Sequence, residues 1–208
     1  MNNSVNTQDF IKVANEADNV VDFLGPSIKY ECDDMVINIE YYTITTLPTK
    51  LKEWAFDLLK SNMENLYKGS NLGWNSKQKR QEMNDKDCKY LIASNNEKPI
   101  GFAMFQFTWE ETMADDDKEI EVIYCYEIQL AEEARRKGLG TFLMRTLENI
   151  GKNWKMNKVM LTTFKKNKLA MDFYINRLGY QIDEISPSEV LLPKEAKDYD
   201  YEILSIKL

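Results

Sequence analysis

Histidine is absent from all 208 positions of the chain. That absence excludes a Ser-His-Asp or Cys-His device and removes the usual proton acceptor near neutral pH. Acid–base work therefore falls to carboxylates, tyrosines, lysines, cysteines or water. Cysteine is scarce: Cys32, Cys88 and Cys125 are odd in number, far apart and never in a CxxC pair. Such usage argues against a disulfide framework and a zinc site, and no metal is expected. No apolar run approaches the length of a membrane span, and the opening "MNNSVNTQDFIKVANEAD" has no apolar leader core. With eight glycines and five prolines, no stretch reads as a linker, and neither a repeat nor a low-complexity tract occurs. One domain over 1–208 is the simplest organisation, long enough for a sizeable core.

Positive charge is also in short supply. Lys and Arg number 27 against 34 Asp and Glu, for a net charge of −7. General nucleic-acid and anionic-membrane binding are disfavoured, and a basic partner suits the balance better. The 43% hydrophobic and 29% charged content is that of a soluble globular protein, and a monomer is the default because no coiled-coil pattern occurs.

Periodicity predicts a helical segment at about 8–24, a strand in "MVINIEYYTIT", a helix through "LPTKLKEWAFDLLKSNMENLY" and a short helix in "NSKQKRQEM" capped by Asn75 or Ser76. Strands follow in "KYLIAS", "PIGFAMFQFTW" and "KEIEVIYCYEIQL", the last two joined by an acidic loop from Glu110 to Asp117. Then come a helix to about Trp154, the strand "KVMLTTF", a helix from about Lys168 to Leu178, and strands in "GYQID" and "YEILSIKL". This mixture, with one strand–helix–strand unit at its centre, is an α/β or mixed α+β class rather than a bundle.

The cations gather where that central helix begins, in "EARRKGLGTFLMRTL". Gly138-Leu139-Gly140 follows a strand and opens a helix whose apolar stripe is Leu139, Phe142, Leu143, Leu147 and Ile150. A helix N-terminus favours negative charge, glycines admit close backbone approach, and Arg135, Arg136 and Lys137 add charge-assisted contacts. The pattern reads as a phosphate cradle. A dinucleotide fingerprint fails because Leu143 stands where the third glycine belongs, and a P-loop fails for want of a terminal Gly-Lys-Ser/Thr.

Arg135-x-x-Gly138-x-Gly140 resembles the pyrophosphate motif of the GNAT acetyltransferases, and "NKLAMDFYINRLGY" resembles the second motif of that superfamily. The blocks "WAFDLLKSNMENLY", "GWNSKQKRQEM", "YLIA", "YCYEIQL", "RRKGLG", "KVMLTTFKKN" and "YEILS" further resemble the NatD-type N-terminal acetyltransferases that modify histones. The resemblance implies the GNAT fold: a central mixed, mostly antiparallel sheet flanked by helices, with a splayed strand pair at the acetyl-CoA site. It implies acetyl-CoA as co-substrate, held by Ile128, Gln129 and Leu130, by the loop Arg135, Arg136, Lys137, Gly138, Leu139, Gly140 and Thr141, and by Asn167. It implies a basic histone tail beginning Ser-Gly-Arg-Gly as acceptor, touched by Tyr67, Thr108, Glu110, Tyr126, Thr162 and Tyr201, and action in cytoplasm and nucleus. Two positions depart from the family pattern: Thr108 stands where an acidic residue reads the tail, and Leu72 replaces a tryptophan. A lysine or small-amine acceptor, or a non-catalytic tail reader, are the alternatives.

The implied chemistry is amine attack on a thioester, so the amine must first lose a proton. An α-amino group has a pKa of about 7.7–8.0 and a lysine about 10.4, so at about pH 7.4 deprotonation costs roughly 0.5 or roughly 4 kcal/mol. A modest base suffices for a protein N-terminus. By resemblance that base is Glu127, acting directly or through water, and Tyr174 or Tyr201 supplies the returning proton. Ideal alternation sets Glu127 and Tyr126 on opposite faces, so one site uses both only if the strand is bulged or the site straddles its edge. Cys125, with no histidine to activate it, reads as a buried core thiol.

Overall fold

The computed structural model describes residues 9–32, 35–113 and 119–208. The aspartates of the expected acidic loop, Asp115 to Asp117, lie outside the described residues, as does the start of the expected N-terminal helix. Among the described residues, eight strands form one sheet in the order β1-β2-β3-β4-β5-β6-β8-β7. They are β1 (Ile28–Cys32), β2 (Met35–Thr43), β3 (Lys89–Asn95), β4 (Lys98–Glu111), β5 (Glu119–Leu130), β6 (Lys158–Phe164), β7 (Gln181–Ile182) and β8 (Tyr201–Lys207). All neighbours are antiparallel except β5 and β6. That parallel pair requires a crossover, and α4 (Leu139–Asn153) supplies it.

Alternation along the central strands feeds two cores. Leu91, Ala93, Ala103, Phe105 and Phe107 face one side, where α1 (Phe10–Glu16) and α4 pack. Tyr90, Ile92, Phe102 and Met104 face the other, against α2 (Thr49–Lys68) and α3 (Ser76–Met83). Because both faces are covered, β3 reads as a nearly unbroken apolar run instead of an alternating one. On α4, Leu139, Leu143, Leu147 and Ile150 are fully buried, with Met144 beside them, while Phe142 is half-buried against Tyr30.

The expected helix at 8–24 is shorter than its periodicity suggests. Asp9 caps α1 by accepting from the Lys12 N–H, but Ala17 is already extended. Asn19 then accepts from the Val21 N–H and donates to Asp22, a local turn that competes with the helix. Val20 and Val21 reach the core from this turn and not from a helical stripe. Three further differences have local causes. The strand β1, with its alternating burial, pairs antiparallel with β2 where the sequence pattern predicts no element. The helix from Lys168 is regular only through Asp172 (α5) and continues as a π-helical turn over Phe173–Arg177, closed by Leu178 N–H to the Phe173 carbonyl. The strand expected in "GYQID" shrinks to β7, since Gly179 takes φ 81° and Asp183 turns inward to meet Lys158 at 2.8 Å. A four-residue helix, α6 (Pro187–Val190), also lies in the stretch before β8.

Candidate active site

β5 and β6 pair only from Val122↔Lys158 to Cys125↔Leu161. Beyond that point β5 continues with β4 alone and β6 with β8 alone, so the two strands splay. A cavity of about 470 Å³ opens in the gap, bounded by α2, α3, β5, β6 and the start of α5. Opposite it the β4–β5 register slips: Met104 faces Glu127 while Phe105 faces Cys125, which leaves Tyr126 as an extra residue on β5. The bulge at a splayed edge lets Tyr124, Tyr126 and Ile128 share the cavity with Cys125, Glu127 and Gln129, despite strict alternation predicting two faces.

Glu127 is buried in this cavity wall. Gln129 Nε2 donates to its Oε2 at 3.0 Å, and Lys79 Nζ lies 3.7 Å from its Oε1. Burial pushes the Glu127 pKa above the ordinary carboxylate value, while Lys79 and the Gln129 hydrogen bond pull against that rise. Gln129 is itself held by Asn62, whose Nδ2 donates to Gln129 Oε1 at 3.0 Å and to the Leu130 carbonyl at 3.2 Å. Arg135 completes the chain, donating to Asn62 Oδ1 at 2.6 Å and to the Leu130 carbonyl at 3.2 Å. The guanidinium expected to meet a phosphate thus also braces the end of β5.

Gly138 precedes α4 in the left-handed region at φ 82°, and no side chain caps the helix. The first N–H groups of a helix have no partner within it, so they remain available to an anion. Arg136 is exposed and Lys137 half-exposed beside them. Both glycines answer to packing as well as to approach: a Cβ at Gly138 would collide with the Tyr30 hydroxyl, and one at Gly140 would press on the Phe173 ring. Leu139 and Gly140 are buried, and Thr141 is half-buried on the first turn. Asn167 lines the cavity and caps α5, accepting from the Ala170 N–H at 3.2 Å.

At the other end, Tyr67, Glu110, Tyr126 and Thr162 line the cavity. Tyr67 is fixed edge-on to Phe164, with ring centroids 4.9 Å apart, and to Trp74 at 5.5 Å. Burial raises the pKa of the Glu110 carboxyl, and nearby Asp183, Glu111 and Glu119 add to the effect. Tyr174 is buried in the wall at the π-helical turn, its phenol held well above the usual pKa by burial. Two of the residues expected to touch the acceptor do not line the cavity. Thr108 stays on β4 opposite Val122, and Tyr201 is the first residue of β8, opposite Phe164 and edge-on to Tyr199. Cys125 is buried, and burial pushes its thiol pKa far up, away from the thiolate form that nucleophilic attack needs.

Sequence reasoning missed Asn62, Lys79, Glu82 and Tyr124. Lys79 and Glu82 sit in a strongly polar helix that reads as solvated, and only their presence within "GWNSKQKRQEM" hinted otherwise. Tyr124 stacks near Tyr126, with centroids 4.9 Å apart, and shares a hydrogen bond with Thr162. Among the described residues no group of His, Cys, Asp and Glu is placed to hold a metal, and no helix is long and apolar enough to cross a membrane.

Residues 50–180 match the sequence profile of the acetyltransferase (GNAT) family. Among solved structures the fold is similar to Arabidopsis thaliana NAA60 in complex with a bisubstrate analogue, at 14% identity over 82% of this chain and 99% of that one, TM-score 0.58. It is similar also to the PaiA N-acetyltransferase of Thermoplasma acidophilum in complex with coenzyme A, at 19% identity over 83% and 99%, TM-score 0.55. A third likeness is to Ard1 from Thermoplasma volcanium, at 13% identity over 82% and 97%, TM-score 0.54. At such identities the likeness is one of fold.

Proposed function

This chain belongs to the acetyltransferase (GNAT) family, and from that premise we propose that it acetylates the N-terminal α-amine of basic peptides, with the Ser-Gly-Arg-Gly ends of core histones as its acceptors. The observation that carries the reading is the burial of Glu127 in a cavity that opens where β5 and β6 part. The donor is acetyl-CoA. The uncapped start of α4, with Arg136 and Lys137 beside it, fits its phosphates in donors and in charge. Ile128 and Gln129 at the splayed edge, with Asn167 opposite, fit the arm that leads into the cavity. When bound, acetyl-CoA supplies a thioester carbonyl for the amine to attack.

The chain's own part is proton handling and orientation. Glu127 accepts the amine proton, directly or through a water, and Tyr174 in the wall or Tyr201 at the start of β8 returns a proton to the departing sulfur. A carboxylate with a raised pKa is a better-matched base for an α-amine than a surface glutamate, yet remains weak against a lysine ammonium with a pKa of about 10.4. Glu110, with the tyrosines around it, offers a basic tail a negative, hydrogen-bonding wall. As part of the same proposal the protein works as a monomer on such tails in cytoplasm and nucleus, without nucleic-acid or membrane contact.

Incubation with acetyl-CoA and a Ser-Gly-Arg-Gly peptide, free or N-acetylated beforehand, tests the reading. Product on the free peptide alone supports it. Product on the blocked peptide as well replaces it with a lysine acceptor, and no product with bound acetyl-CoA leaves a tail reader.

A further inference from the structure

Helix α3 is the most polar helix among the described residues, yet it turns one lysine inward. Asn75 fixes its start by accepting from the N–H groups of Lys77 and Gln78. This phase brings Lys79 to the cavity wall with a side chain only 15% exposed, facing a Glu127 side chain that is 7% exposed. Lys79 Nζ lies 2.6 Å from Glu82 Oε2, donates to the Tyr67 hydroxyl at 3.1 Å, and stands 3.7 Å from Glu127 Oε1.

We propose that Lys79 is a positioning residue for acetyl transfer: its ammonium keeps the buried Glu127 carboxylate charged and aimed into the cavity, and ties the Tyr67 hydroxyl beside it. The inference rests on Glu127 being the base. An isolated carboxylate out of water neutralises itself by taking up a proton, and an opposite charge within a few ångströms prevents that. The ionisable groups that face Glu127 are Lys79 and Glu82 of α3, Tyr67 of α2, Tyr90 of β3, Cys125 of its own strand and Tyr174 after α5. Lys79 is the cation of that set. Burial works against its own charge, but Glu127, Tyr67 and Glu82 outweigh the burial and hold its pKa above the usual lysine value.

The arithmetic of the cluster also favours an amine. Two carboxylates share one ammonium, leaving one net negative charge for an arriving ammonium to answer. At 3.7 Å Lys79 acts on Oε1 through space, while Gln129 supplies the hydrogen bond to Oε2.

The test is a pH titration of the full chain labelled with carboxyl-13C glutamate, the Glu127 signal being the one lost in Glu127→Gln. In Lys79→Met the Glu127 midpoint is expected to rise by about one to three pH units, and in Lys79→Arg to stay near the wild-type value. Lys79→Gln, which retains a donor for Glu82 and Tyr67, carries the same expectation as Lys79→Met and guards against loss of fold. The low-pH limb of kcat/KM should move upward with the midpoint. An unmoved midpoint in the neutral variants, or a kcat/KM lowered by one factor at every pH, overturns the proposal. The titration needs no acceptor, so a protein that acetylates no peptide would defeat the functional reading and leave this test intact.

Discussion

The Tyr30 hydroxyl donates to the Lys137 carbonyl at 2.7 Å, joining the edge strand β1 to the loop before α4 across 107 residues of sequence. The same hydroxyl stands where a Cβ on Gly138 would have to go, and Gly138 is left-handed at φ 82°. Gly138→Ala therefore carries a backbone cost of about 1–2 kcal/mol together with the collision. Coenzyme A affinity should fall with it, by roughly tenfold or more for a 1.4 kcal/mol loss. Tyr30→Phe, which removes only the donor, should cost about 1 kcal/mol of stability. Urea unfolding and calorimetric titration with coenzyme A check both.

Glu127→Gln keeps the hydrogen-bonding shape of the side chain and removes its basicity. Turnover should drop by about 100- to 10,000-fold, the usual worth of a positioned base, with acetyl-CoA affinity close to wild type. Equal turnover in the variant removes Glu127 from the mechanism.

The pH profile follows from the same carboxylate. Burial raises the Glu127 pKa above its ordinary 4.5, against the pull of Lys79 and Gln129. The base form exists above that midpoint, so kcat/KM should fall as pH drops through it. A second limb at about pH 7.7–8.0 belongs to the peptide amine and should persist in Glu127→Gln, while the lower limb disappears. Steady-state rates from acid to alkaline pH separate the two.

Glu110 tests the acceptor wall. Glu110→Gln should raise KM for a Ser-Gly-Arg-Gly peptide by about tenfold, the equivalent of 1.4 kcal/mol, with kcat little changed. An unaltered KM would remove Glu110 from tail binding.

Lys158 and Asp183 form a buried pair at 2.8 Å, with side-chain exposures of 8% and 1%, that pins the end of β7 to β6. Lys158→Met strands a buried carboxylate, and should cost about 3–5 kcal/mol in urea unfolding. Burial acts to raise the Asp183 pKa, but hydrogen bonds from Lys158, Ser205 and the Ile185 N–H together lower it below its ordinary 3.8. A depressed carboxylate contributes stability that is complete above its unfolded pKa and lost as pH falls through the folded one. In the wild type this contribution should therefore persist through mildly acidic pH and disappear only below the ordinary carboxylate range.

Much of the fold was legible because its signals are local. The stripe Leu139, Leu143, Leu147 and Ile150, the glycine before it, and the strands on either side specify the central crossover from sequence alone. The need for a bulge or an open edge at Tyr126 followed from period two, and the register slip opposite Phe105 supplies it. What escaped depends on tertiary partners. Nothing in "SKQKRQEM" distinguishes Lys79, turned into the cavity, from Lys77 on the solvent side, since both belong to an evenly polar helix. Asn62 gains its role only once Arg135 and Gln129 arrive from distant positions. The break at Ala17 depends on the side-chain turn at Asn19, which wins over a helical pattern that is otherwise continuous.

The central claim, that the chain acetylates α-amines of Ser-Gly-Arg-Gly tails, is tested most directly by offering one limiting pool of acetyl-CoA to an equimolar mixture of peptides. One peptide begins Ser-Gly-Arg-Gly, others begin with different residues, and all carry an internal lysine; the acetylated atom in each is located by tandem mass spectrometry. The account predicts acetyl on the α-amine of the Ser-Gly-Arg-Gly peptide well ahead of every other position. Acetyl on lysine, or on all N-termini alike, would contradict it.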